Sequence, residues 1–204
     1  MKLLALVCFL LFCNVSLSAQ TSMNFKEEIE AYRNHYKEDF LSDPRSPLKK
    51  KDLKYLRFYD PDPKYNVLAL FTPDNSSESF EMPTYSGKTK TFTRYGKLEF
   101  NIDNVAYSLT IYRNLKLAEQ AEYKDYLFIP FKDLTSGKET YGGGRYIDIK
   151  VTDIDKSNVL KLDFNKCYNP YCAFTDGYNC PVPPSENHLP VEIKAGEKNF
   201  GKSH

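Results

Sequence analysis

Cys167, Cys172 and Cys180 crowd into one stretch, and His188 follows, giving the spacing C-x4-C-x7-C-x7-H. Three chemistries start from such a set. In an oxidising compartment two neighbouring cysteines form a disulfide. Cys172 and Cys180 enclose "AFTDGYN", with Gly177 to turn it, while Cys167 and Cys172 enclose "YNPY". Only one pairing forms at a time, so one thiol is always left over. Structural zinc is poorly served, because no close C-x2-C or H-x3-H pair is present. A thiol nucleophile needs a base, and of His35, His188 and His204 only His188 is placed to act as one.

The polar residues give a second set. Arg145 follows the glycines of "YGGGRY", which open a strand rather than a helix and so lack a phosphate cradle. An arginine in that position pairs with an internal carboxylate or receives an anion, and Glu186 and Glu197 are the expected internal partners. "KDLTSGKETYGGG" reads as a hairpin turn capped by side chains, or as a loop at a barrel mouth. No Gly-x-Ser-x-Gly elbow, HExxH or Walker-type loop occurs.

The elements that must position these groups can be read along the chain. "MKLLALVCFLLFCNVSLSAQ" is a secretory leader with a cut after Ala19, and it carries Cys8 and Cys13 away. Phe12 is not the small residue that a lipidated leader places before its cysteine. The expected protein is therefore exported, periplasmic or secreted, with one domain over 20–204 and no membrane span. With 28 Lys+Arg, 27 Asp+Glu and Lys2 lost, the charge balances and gives no case for nucleic acid. The 16 Tyr and 14 Phe predict a tyrosine-rich core, or a surface on which sugar rings stack.

Phe25, Ile29, Tyr32, Tyr36 and Phe40 share one helical face, which predicts a helix over 24–43 with Asn24 as its cap. A β-rich body is expected over 65–198. Strands are read at "YNVLALFT", "SSESFEMPT", "VAYSLTIYR", "YLFIPF", "GGGRYIDIKV", "VLKLDFN" and "VEIKAG". "KTFTRYGKLEF" reads as a hairpin turning near Gly96, and Pro130 as an edge or bulge. In 142–151, Ile147, Ile149 and Val151 fall on one face and Tyr146, Asp148 and Lys150 on the other. Eight or nine strands with no second helix predict a mostly β, α+β fold: an antiparallel barrel or sandwich with one N-terminal amphipathic helix.

Three motifs carry a resemblance. They are "F-x-D-x-T-S-G-x-x-T-Y-G-x-G-R-Y" at 131–146, "D-F-N-x-x-Y-N-P-x-C-A-F" at 163–174 and "C-P-x-P-P-x-x-N-x-L-P-V-x-I-x-A-G-E-K" at 180–198. Together with "SPL" and "AYR" they resemble a bacterial family known only as domain of unknown function 1684 (DUF1684). The resemblance implies no activity. It places alanine where this chain has Cys167, and a basic residue that is commonly not histidine at His188. Both departures weaken the zinc and Cys–His readings, leaving a Cys172–Cys180 staple with Cys167 as the odd thiol. The expected ligand-binding residues are Tyr141, Arg145, Asp163, Asn165, Asn169, Asn187 and Glu197. The expected function is a non-catalytic module for a small polar or anionic ligand, with no metal and no cofactor. The alternatives are a hydrolase using Arg145, Asn165 and Glu197, or a purely structural polar network.

Overall fold

The computed structural model describes residues 24–76 and 78–202. The expected leader with Cys8 and Cys13, and His204, lie outside them. Helix α1 (Phe25–Ser42) is closed at its start by a capping box between Asn24 and Glu27. Its apolar stripe, predicted from spacing alone, buries Ile29 and Phe40 and leaves Tyr32 and Tyr36 half-buried. Seven strands follow: β1 (Asn66–Pro73), β2 (Ser79–Pro83), β3 (Thr89–Ile102), β4 (Val105–Asn114), β5 (Tyr126–Phe131), β6 (Arg145–Lys150) and β7 (Val159–Asp163). All pair antiparallel in one sheet of order β6-β5-β4-β3-β1-β7, with β2 beside β3. The sheet curls into a half-barrel with the helix at its N-terminal end, so the α+β expectation holds.

Alternation sorts side chains between two faces. The inner core takes Leu98, Ile111, Leu127, Ile129, Ile147, Leu160 and Leu162. Met82, Phe92, Tyr112, Phe128 and Tyr146 form a second cluster on the outer face. β5 is therefore covered on both sides, which is why "YLFIPF" is apolar throughout.

Three expectations need correction. Gly96 does not turn a hairpin; β3 runs through it, and the register with β4 shifts between Arg94 and Gly96. A Cβ at Gly96 would stand 2.5 Å from the Thr72 carbonyl, so glycine marks a bulge and close strand approach. The turn itself is at Asp103 and Asn104, both at positive φ, as a two-residue β-hairpin requires. "VEIKAG" is not a strand but an extended strap whose backbone bonds to side chains. Pro130 is neither at an edge nor in a bulge. It lies in an interior strand, and its missing N–H accompanies a ladder reduced to the single pair Tyr112–Phe128 between β4 and β5.

Candidate functional site

The motif residues go to work on the chain's own backbone. Arg145, at 0% exposure, donates to the carbonyls of Ala195, Ile193 and Glu197 and lies 3.4 Å from Asp133 Oδ2. Its carboxylate partner is thus Asp133, not Glu186 or Glu197. Asp133 also accepts from the Ile193 amide at 2.7 Å and from the Thr135 hydroxyl. The "KDLTSG" segment is therefore the capped turn that its composition suggested, and it holds the strap. Glu186 instead forms a bidentate pair with Arg94, at 2.9 and 3.1 Å, and accepts from the Tyr112 hydroxyl.

The asparagines act the same way. Asn187 fills the gap that Pro130 leaves: its Oδ1 accepts from the Thr110 amide at 2.7 Å, and its Nδ2 donates to the Thr110 and Pro130 carbonyls. The amide stands in for a peptide unit between β4 and β5. Asn165 clamps the Asp62 backbone through both of its polar atoms at 2.9 Å and also donates to Asp163. Asn169 donates to the Lys198 carbonyl. Tyr141 is half-buried, with its hydroxyl 3.4 Å from the Cys172 carbonyl.

Glu197 is buried. Its Oε2 accepts from the Tyr36 hydroxyl at 2.9 Å and the Asn169 amide at 2.8 Å. Burial pushes its carboxyl up to about 7, against the pull of those donors. Arg145, Asn165, Asn169, Asn187 and Glu197 thus do not gather at an open pocket. Each is wrapped in protein, and the expectation that they line one mouth is corrected: their donors and acceptors satisfy backbone groups that no neighbouring strand satisfies.

Cys172 and Cys180 are joined, and Cys167 is a buried free thiol. Burial raises the Cys167 thiol to about 11, the opposite of what a nucleophile needs. His188 contacts the Pro183 carbonyl through Nε2. Among the described residues no group of three or more His, Cys, Asp and Glu side chains could hold a metal ion.

The open cleft lies on the other face of β6. It has a volume of about 470 Å³ and is walled by Tyr32 and Tyr36 of α1, by Tyr146, by Tyr168 and Tyr171, and by Tyr178. The disulfide ties down the segment that supplies Tyr178, and Cys180 and Pro181 complete that wall. Several hydroxyls are anchored elsewhere: Tyr32 donates to the Lys166 carbonyl, Tyr36 to Glu197, Tyr171 to Asp43 and Tyr178 to the Arg45 carbonyl. The phenol groups are thus fixed by their tips, and the rings line the space.

Asp148 also lines this cleft. The Tyr126 hydroxyl donates to its Oδ1 and the Tyr168 hydroxyl to its Oδ2, both at 2.7 Å. Asp148 is exposed to solvent within this concave site. Desolvation raises its carboxyl above the usual range, and the two hydroxyls oppose that rise. Lys90, half-buried in the same cleft, is lowered by burial. Asp39 stands in the lining as an exposed carboxylate.

Sequence reasoning missed Asp148 as a site residue, although its alternation had placed Asp148 beside Tyr146 on the face away from the core. The available signal was a lone carboxylate among tyrosines on a strand whose other face is apolar.

These features define a class: a curled antiparallel half-barrel with a helix-walled aromatic cleft on its outer face. The chain belongs to the family described as "Protein of unknown function (DUF1684)", whose model matches residues 51–198. The match begins after α1, so Tyr32 and Tyr36 lie outside the matched span. An uncharacterized protein of Haloarcula marismortui, solved by solution NMR, is similar at 31% identity with a TM-score of 0.65. The similarity covers 84% of this chain and 92% of that one. No curated protein matches.

Proposed function

We propose that this protein is a non-catalytic binding module for a small polyhydroxylated ligand, held in the tyrosine cleft with Asp148 as its polar anchor. One observation carries the reading. A solvent-reached carboxylate, fixed by two phenol hydroxyls, lines a concave site of about 470 Å³ walled by aromatic rings. Such a site combines apolar faces with a few convergent polar groups. Ring faces stack on the C–H faces of sugars, and a carboxylate accepts from their hydroxyls. An anionic ligand fits less well, because Asp39 and Asp148 face Lys90 alone. Export to the cell envelope is part of the same proposal and rests on the leader at 1–19. Mass spectrometry of secreted or periplasmic material should find a chain beginning at Gln20.

The test is calorimetry with glucose, mannose and N-acetylglucosamine. Binding that weakens at least tenfold in Asp148→Asn and in Tyr168→Ala, with unchanged circular dichroism, supports the reading. Equal affinity in the variants refutes it.

A second reading, a hydrolase with Asp148 as its acid, starts from the same geometry, a carboxylate held by two phenol hydroxyls inside an aromatic cleft. Turnover of aryl glycosides that disappears in Asp148→Asn would favour this over simple binding. Arg145, Asn165 and Glu197 have no part in it, since their buried side chains cannot reach a substrate in the cleft.

A further inference from the structure

The tyrosine cleft has a neighbour. A second groove of about 380 Å³ is lined by β6, β7 and α1, and Tyr32 and Asp148 line both spaces. Its walls take successive residues, 147–149 from β6 and 160–163 from β7. Side chains alternate along a strand, so one face of a strand supplies only every second residue. Successive residues in one wall mean that the groove meets each strand at its edge. It is the slot left open where the half-barrel fails to close: β6 and β7 are the two ends of the sheet order and do not pair with each other among the described residues, Tyr146 of β6 bridging instead to Tyr168 beyond β7, and Leu160 of β7 to Ile154 beyond β6.

The slot differs chemically from the cleft. Lys161 and Lys166 line it, as do Glu28, Asp153 and Asp163. Asp163 is 7% exposed, and its Oδ2 has no hydrogen bond; the nearest cation, Lys166 Nζ, stands 3.9 Å away. A buried carboxylate oxygen without a donor is costly, and here that oxygen belongs to a residue lining an open groove. Its other oxygen is occupied by the Asn165 amide and side chain.

We propose that cleft and slot form one elongated site for a linear oligosaccharide, with Asp148 at the junction of a ring-stacking half and a hydrogen-bonding half. This rests on the binding reading above and extends it, from a small sugar to a chain of several units. In the cleft, ring faces cover the sugar. In the slot, carboxylates and ammonium groups meet the hydroxyls of the next unit, and Asp163 Oδ2 gains the donor it lacks. A compact ligand fills the cleft only; a linear one passes Asp148 and enters the slot.

The experiment titrates glucose, mannose and N-acetylglucosamine, and their linear oligomers of two to six units, against the chain from Gln20. Affinity should rise at least tenfold from the monomer to the longer oligomers of one series. Lys161→Ala, on the exposed face of β7, and Asp163→Asn should remove most of that gain and leave monomer affinity unchanged. Tyr168→Ala should weaken every length. Monomer binding with no gain in length overturns this inference and leaves the small-ligand reading standing. A gain in length that both slot variants retain also overturns it, because the extra units then lie elsewhere. Absence of binding at every length overturns both readings.

Discussion

Arg145 and Asp133 sit face to face with both side chains fully buried. Removing Asp133 would leave the buried Arg145 charge without its carboxylate and the Ile193 amide without an acceptor. Asp133→Ala should therefore lower the unfolding free energy by about 3–5 kcal/mol, read in urea titrations. Glu197 gives a pH signature. Its carboxyl rises from 4.5 unfolded to about 7 folded, so the native state holds the proton more tightly. Stability from this group is full below 4.5, falls as pH rises from 4.5 to about 7, and then levels off. The difference is on the order of 3 kcal/mol. Glu197→Gln should flatten the stability profile across that window; an unchanged profile would mean that Glu197 titrates normally. In a folded chain prepared to begin at Gln20, Cys167 should resist alkylation and react as the single free thiol once denatured, because it is 1% exposed and in no disulfide.

At the scale of elements, the gap between β4 and β5 is the informative feature. Pro130 cannot donate, and Asn187 repairs the ladder from a segment 57 residues away in sequence. Asn187→Ala should cost about 1–3 kcal/mol and speed hydrogen exchange at Thr110, whose amide loses its acceptor. Gly144 immediately precedes β6 at φ +90, and a Cβ there would lie 2.5 Å from the Phe131 carbonyl. Gly144→Ala should therefore destabilise by about 1–3 kcal/mol, measured by thermal unfolding. The helix, its cap and the alternation of β6 and β7 were legible because each follows a local period. The Gly96 hairpin was misread because glycine serves a bulge as readily as a turn. Only the Thr72 carbonyl on the neighbouring strand distinguishes the two. "VEIKAG" alternates like a strand, yet no strand lies beside it, and alternation cannot report a missing neighbour.

The whole molecule separates what holds it together from what it offers to solvent. Motif residues fasten the 191–198 strap to Arg145 of β6 and to Asp133, and the 165–169 turn to Asp62 and to the strap, while the aromatic cleft draws its walls from α1, β6 and the disulfide-tethered loop. Among the described residues no helix is long and apolar enough to cross a membrane. Sequence alone determined the helix and its stripe, the mostly β class, the family and the face on which each β6 residue falls, because periodicity and motif are properties of the chain. Tertiary structure alone decided that Arg145 faces Asp133 and that the motif asparagines replace missing backbone partners. It also decided that Asp148 shares a cleft with six tyrosines and accepts from the Tyr126 and Tyr168 hydroxyls. Those pairings depend on which surfaces the curled sheet brings together, and a polar residue in sequence looks the same whether its partner is a ligand or the chain's own carbonyl.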